Sequence, residues 1–307
     1  MRICLNQTYS FKQLGCRRYQ EDSRFPDEDE PLTSSFFCVC DGVGGEKDGK
    51  RASATVTRSF AQSLSDFDKE EESLTIDKFR KILLEAYQAL DQEIEKGADK
   101  SMATTMTFVC FHRGGVFAAH IGDSRIYHIR PHVGILYRSS DHSLINAMVH
   151  DGSICPAEAE THERGNVITR YMSPRSEGQD RCCASVLQIQ DIMPGDYFIL
   201  CSDGVTHCMT DEQLVSLLET DISDQEKNSV LARSCEKSED NNTAILISVK
   251  SVQKENETEN DTEYEGNSIT RKLKFSELSP ELKEVEPAAE KNPTLLDRLF
   301  SILKFKQ

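Results

Sequence analysis

The chain has no stretch approaching the roughly 18 consecutive apolar residues that a membrane-spanning helix needs, and Met1 to Gly15 carries no continuous apolar region of the kind a secretory leader uses. Positive charge is scarce. Lys and Arg total 36 against 52 Asp and Glu, a net charge of −16, and the basic residues form no stripe. That balance argues against nucleic-acid binding. There are eleven cysteines but no CxxC pair. The eight histidines offer no ligand spacing either, because Pro131 breaks any helix that would align His128 with His132. The cysteine count is odd, and Cys38, Cys40, Cys110, Cys182, Cys183 and Cys201 sit in apolar runs. They read as small buried hydrophobes in a reducing compartment, not as a disulfide framework or a zinc site. A cytoplasmic protein is the expectation. Apolar residues make up 37% and the mean hydropathy is −0.51, low enough that part of the chain is expected to stay unpacked.

What is present up to about residue 250 alternates between two periods. Phe36 to Cys40 reads as a buried strand in which Cys38 and Cys40 share a face. Ala54, Val56, Phe60, Ala61 and Leu64 recur at helical spacing, as do Phe79, Ile82, Leu83, Ala86, Leu90 and Ile94. The period then changes. Thr105–Phe111, Val116–Ile121 and Arg125–Ile129 form a meander with Gly114-Gly115 and Gly122-Asp123-Ser124 at its corners. Tyr197–Cys201 and Thr243–Val249 read as later strands, and Asp211–Leu218 as a helix capped by Thr210. Strands joined by short turns, with helices between the groups, predict an α+β fold with largely antiparallel sheet.

Four aspartates sit beside predicted strands. Asp41 follows Phe36–Cys40. Asp123 follows Val116–Ile121, Asp203 follows Tyr197–Cys201, and Asp240 precedes Thr243–Val249. Any one of them reads as a turn residue. Four together, among Gly42, Gly44, Gly45, Gly122 and Gly204, suggest carboxylates brought to one place. Carboxylates so placed repel, and a hard divalent cation with oxygen ligands is the natural counter-charge. The lack of a His/Cys set favours Mg²⁺ or Mn²⁺ over zinc.

These residues carry a family resemblance. Arg17-Arg18-Tyr19-Gln20-Glu21-Asp22, Asp41-Gly42-Val43-Gly44-Gly45, Met102-Ala103-Thr104-Thr105 and Gly122-Asp123-Ser124-Arg125 resemble motifs of the type 2C metal-dependent Ser/Thr protein phosphatases, bacterial stand-alone type. So do Asp141-His142-Ser143, Val167-Ile168-Thr169-Arg170, Cys201-Ser202-Asp203-Gly204-Val205 and Asp240-Asn241-Asn242-Thr243. They occur in the family order across residues 9–250. The resemblance implies a central antiparallel β-sandwich flanked by helices on both sides, a four-layer αββα arrangement. It implies hydrolysis of phosphoserine and phosphothreonine by water activated at two Mn²⁺ or Mg²⁺ ions, with a looser third position. By the same resemblance Asp41 bridges the two ions, the Gly42 carbonyl ligates one, and Asp203 and Asp240 complete the other. Asp123 belongs to the third position with Asp203, Glu21 reaches the metal directly or through water, and Asp22 holds metal-bound water. Arg17 clamps the phosphate.

The sequence departs from the family pattern in places. Gln20 replaces Asn. Val43 stands where many eukaryotic members carry a proton-donating His, so no side-chain general acid is expected, and His142, the nearest spare candidate, reads first as a structural histidine. Tyr171-Met172 replaces small residues, and Ile145–Gly165 corresponds to a variable flap that shapes substrate choice. The expected partners are phosphorylated proteins, substrates of a cognate kinase. The competing reading is a pseudophosphatase that uses the fold for binding, and such proteins usually lose metal carboxylates. Beyond residue 250, residues 251–290 hold eleven acidic and five basic residues and read as a disordered linker. Residues 291–307 read as a short amphipathic helix that docks on its own domain, a partner or a membrane surface.

Overall fold

A computed structural model describes residues 1–27, 34–43, 46–155, 158, 167–175, 181–253 and 270–272. The strands are β1 (Arg2–Leu5), β2 (Tyr9–Gln13), β3 (Ser23–Phe25), β4 (Phe36–Cys40), β5 (Gly42–Val43), β6 (Ala103–Thr104), β7 (Met106–His112), β8 (Gly115–Ile121), β9 (Arg125–Arg130), β10 (Gly134–Arg138), β11 (Ser185–Ile189), β12 (Tyr197–Cys201), β13 (Asn242–Gln253) and β14 (Thr270–Lys272). The helices are α1 (Glu46–Ser63), α2 (Ile76–Glu95), α3 (Leu144–His150), α4 (Asp203–Thr206), α5 (Asp211–Leu218) and α6 (Asp224–Cys235). One sheet runs β1-β13-β12-β9-β10 with β2 also on β13, and the other runs β14-β11-β8-β7-β4-β3. All the pairings are antiparallel, as the turn chemistry predicts.

Period-two alternation builds the layers. In β12, Phe198 and Leu200 enter the cluster between the sheets, while Tyr197, Ile199 and Cys201 face a second cluster with Leu214, Leu217 and Leu218 of α5 and Leu231 and Cys235 of α6. In β4, Phe37 and Val39 join the inter-sheet cluster. Phe36 lies on the other face, 6.5 Å from Phe108, whose ring also meets Phe60 of α1 at 5.1 Å and Phe79 of α2 at 5.6 Å. The result is the four-layer αββα sandwich. Cys38 and Cys40 do share a face, with their sulfurs 3.6 Å apart, and every described cysteine is a free thiol. Cys182 and Cys183, expected inside, are only half-buried. Among the described residues no helix is long and apolar enough to cross a membrane.

The C-terminal boundary differs from the reading of composition. β13 continues to Gln253, and Thr270–Lys272, expected within the disordered linker, pairs antiparallel with β11 (Val186 opposite Arg271). An open sheet edge offers backbone groups to any chain that reaches it, and such pairing needs no apolar side chains. The rest of the linker and the helix expected over 291–307 lie outside the described residues, as do positions 156–157 and 159–165 of the flap.

Candidate active site

Strand register gathers the aspartates at one end of the sandwich. Ser23 pairs with Cys40, which sets Asp22 beside Asp41. Val39 pairs with Thr107, so Asp41 meets Thr105: its N–H donates to Thr105 Oγ1 (3.0 Å) and its carbonyl accepts from Thr105 N–H (2.8 Å). In the other sheet Cys201 pairs with Arg125 on one side and Ala244 on the other, which places Asp203 between Asp123 and Asp240. Asn242 pairs with Gln13, so the loop carrying Arg17 turns over Asp240. Arg17 Nη2 donates to Asp240 Oδ2 at 2.7 Å and its Nε to the Glu239 carbonyl at 3.2 Å.

Burial first, and neighbouring carboxylates second, shift these groups. Burial pushes the Asp41 carboxyl well above the usual range, and Asp22, Asp203, Asp123 and Asp240 push it further. Asp22 rises to about 7, chiefly by burial, despite hydrogen bonds from Thr243 Oγ1 (2.7 Å) and Ser202 Oγ (2.8 Å) to its Oδ2. Asp123 also rises to about 7, by burial and then by Asp203 and Asp141. Asp203 is raised by burial, opposed in part by His207 and by a hydrogen bond with Asp41.

Several supporting residues have roles that the sequence does not show: Asn241 and Ser202 stand only as motif members, and Gly49 in no motif. Asn241 Oδ1 accepts the Glu21 N–H (2.8 Å) while its Nδ2 donates to the Leu14 carbonyl (2.9 Å), tying Glu21 and the Arg17 loop to the Asp240 segment. Ser202, at the N-terminus of α4, makes no cap bond because its hydroxyl serves Asp22 and the Thr243 N–H (3.0 Å). Gly49 of α1 faces the Gly42 backbone, and a Cβ there would stand 3.0 Å from Gly42 C and 2.4 Å from Glu21 Oε1. A hydroxyl or a glycine has too many ordinary uses for its type alone to have marked it. Asn241, adjacent to Asp240, carried the one readable signal.

His142 and Asp141 are otherwise occupied. Asp141 accepts a bidentate pair from Arg125 (2.8 and 2.7 Å). His142 Nδ1 accepts the Gly122 N–H (3.1 Å) and its Nε2 lies 2.9 Å from Ser185 Oγ, which removes it as a spare proton donor. Met172, where the family carries small residues, is fully buried and exchanges two backbone hydrogen bonds with Thr104 (2.9 and 2.8 Å).

The residues present fit hard cations. Asp22 Oδ1, Asp123 Oδ1 and Asp203 Oδ1 are buried without a hydrogen-bond partner. Each such atom costs about 1–3 kcal/mol, more when ionised, unless something positive meets it. The donors are oxygens, which suit Mg²⁺ or Mn²⁺. Among the described residues no three His, Cys, Asp or Glu side chains already converge as a finished ligand set, so water and backbone carbonyls would complete any coordination.

The profile of the protein phosphatase 2C family matches residues 29–237, more than half of the chain. A protein phosphatase 2C-type protein of Streptococcus pyogenes is 31% identical over 220 residues, covering 70% of this chain and 85% of its own length. The serine/threonine phosphatase stp of Listeria monocytogenes is 30% identical over 224 residues, covering 70% and 85%. Among solved structures, the serine/threonine phosphatase Stp1 from Staphylococcus aureus superimposes with a TM-score of 0.66 at 26% identity, covering 81% of this chain and 98% of its own. The catalytic domain of the phosphatase PstP, solved with two manganese ions, gives 0.66 at 22% identity, covering 81% and 100%, a likeness of fold. With the motif order, the sandwich and the gathered carboxylates, these relatives show that the chain belongs to the protein phosphatase 2C family and is a serine/threonine protein phosphatase.

Proposed function

We propose that this phosphatase works on phosphoserine and phosphothreonine of proteins in the cytoplasm, the substrates of a cognate kinase, with two Mn²⁺ or Mg²⁺ ions at the carboxylate cluster. The observation that carries the reading is the burial of Asp22, Asp41, Asp123 and Asp203 at one end of the sandwich, three of them with an orphaned oxygen, beside a half-exposed arginine. Asp41, the Gly42 carbonyl, Asp203 and Asp240 would hold the ions, Asp123 and Asp203 would serve a third position, and Glu21 would reach in directly or through water. Bound there, such cations supply a water of lowered pKa and offset the charge of the phosphate.

The chain's own residues do the rest. Arg17, held beside the cluster by its bonds to the Glu239 carbonyl and Asp240, would bind the phosphate dianion with its remaining guanidinium N–H groups. Asp22 Oδ2 is locked by two hydroxyls, which leaves Oδ1 to accept from water in the cleft. Neither Val43, which cannot donate, nor His142, whose ring nitrogens are engaged, serves as a general acid. A binding-only role would tolerate loss of the ligand carboxylates, yet all are retained.

The test is calorimetric titration of Mn²⁺ with phosphopeptide turnover on the same samples. Arg17→Ala is expected to raise KM for phosphate esters without weakening Mn²⁺ binding, since it removes a phosphate contact and releases Asp240 Oδ2 from a competing cation. An equal loss of Mn²⁺ affinity, or Mn²⁺-independent turnover in the parent, would overturn the assignment.

A further inference from the structure

Gly122 and Asp123 form the β8–β9 turn, and both backbone polar groups of Gly122 are taken by one residue. The His142 N–H donates to the Gly122 carbonyl at 2.9 Å, and the Gly122 N–H donates to His142 Nδ1 at 3.1 Å. We infer that His142 is a positioning residue that clamps this turn and thereby sets where the Asp123 carboxylate stands in the cleft. The inference rests on the proposed role of Asp123 in the cluster.

The turn needs such a restraint. Gly122 adopts φ +107°, and a Cβ there would stand 2.6 Å from Thr105 Cγ2, so glycine is required although it is the least self-restrained residue. Asp123 Oδ1 is buried without a partner, so the carboxylate takes its position from the turn that carries it. The imidazole is itself fixed. With Nδ1 accepting, its proton sits on Nε2, 2.9 Å from Ser185 Oγ of β11. Its ring stacks on His120 (centroids 4.5 Å apart, planes at 11°), and His120 Nε2 is held at the Ser140 carbonyl, 2.9 Å away. The His142 carbonyl accepts from Thr169 N–H (2.7 Å) and Thr169 Oγ1 (2.9 Å). The clamp therefore ties β8, β11 and the Val167–Arg170 segment to one carboxylate.

A packing histidine and a positioning histidine respond differently to two amides. Asn places an acceptor oxygen where Nδ1 lies, whereas Gln reaches the Nε2 position and leaves the Gly122 N–H without a partner. The experiment compares His142→Asn, His142→Gln, Asp123→Asn and the Gln/Asn double variant of the full chain, assayed on p-nitrophenyl phosphate with saturating Mn²⁺. His142→Asn is expected to keep kcat within about threefold, and His142→Gln to lose about tenfold in kcat with KM within about twofold. On the Asp123→Asn background His142→Gln is expected to add less than about a further twofold, because both changes act on one group. Equal activity of the two amides, equal damage by both, or additive losses would overturn the inference. If Asp123→Asn leaves turnover intact, the role proposed for Asp123 fails instead, and hydrogen exchange at the Gly122 amide then decides the clamp alone: protection kept in His142→Asn and lost in His142→Gln is expected. Should His142→Gln not fold, loss of Gly122 protection in His142→Asn with unchanged turnover would overturn the inference.

Discussion

At the scale of single residues, the carboxylates of the cleft work against folding when no cation opposes them. Burial and mutual repulsion raise Asp41, Asp22 and Asp123, which means that their charged forms are disfavoured in the folded chain at neutral pH. Asp41→Asn and Asp203→Asn are therefore expected to abolish Mn²⁺-dependent turnover and, in chelated buffer, to melt at a higher temperature than the parent. Paired thermal melts with and without EDTA check this, and a lower Tm in both buffers would contradict it. The Asp residues were readable because each adjoins a strand of unmistakable pattern. Thr105, Ser202 and Asn241 stand within the quoted motifs but carry no legible role there, because their importance lies in which hydroxyl or amide faces which carboxylate.

At the scale of elements, α1 is seated by what it lacks. An Ala in a helix interior ordinarily gains about 1 kcal/mol over Gly. At Gly49 the new methyl would stand 3.0 Å from the Gly42 backbone and 2.4 Å from Glu21 Oε1, so the sign reverses. Gly49→Ala is expected to lower stability and turnover together, read by urea unfolding and kcat. α5 behaves differently. Its Thr210 cap was legible, and the structure completes the box: Thr210 Oγ1 accepts the Gln213 N–H at 3.3 Å and Gln213 Oε1 accepts the Thr210 N–H at 3.0 Å. Thr210→Ala is expected to cost about 1 kcal/mol with turnover unchanged, since α5 packs on the far side of its sheet from the inter-sheet core. The short elements β1, β2, β3 and α4 are not legible in the sequence, since three to five residues do not complete a recognisable period, and neither are β10, β11, α3 and the longer, weakly patterned α6.

At the scale of the whole molecule, the response to acid is a contest of signs. The raised cleft carboxylates take up protons in the fold and favour it as pH falls. Burial lowers His112 from 6.5 to about 4, against a hydrogen bond with Gln188 that raises it. The unfolded chain therefore binds a proton below pH 6.5 that the folded chain refuses until about pH 4, and this contribution to stability is lost as pH falls through that window. Comparing His112→Asn with the parent by urea unfolding at pH 7.5 and pH 5 isolates it, and the parent is expected to lose more stability. The buried residues of these two core clusters end at Val249, with Val252 packed against them, so truncation after Glu290 is expected to leave Tm unchanged and small-substrate turnover within about threefold.

Local chemistry was enough to determine the alternating periods, the antiparallel meander, the αββα class through the ordered motifs, and the four aspartates, because each is written in a few adjacent residues. Only the tertiary structure decided that Asp22 lies against Ser202 and Thr243, that Arg17 rests on Asp240, that His142 serves Gly122, and that Thr270–Lys272 extends a sheet. These contacts join residues 20 to more than 200 positions apart, and strand register across two sheets, which no local window contains, sets which of them meet.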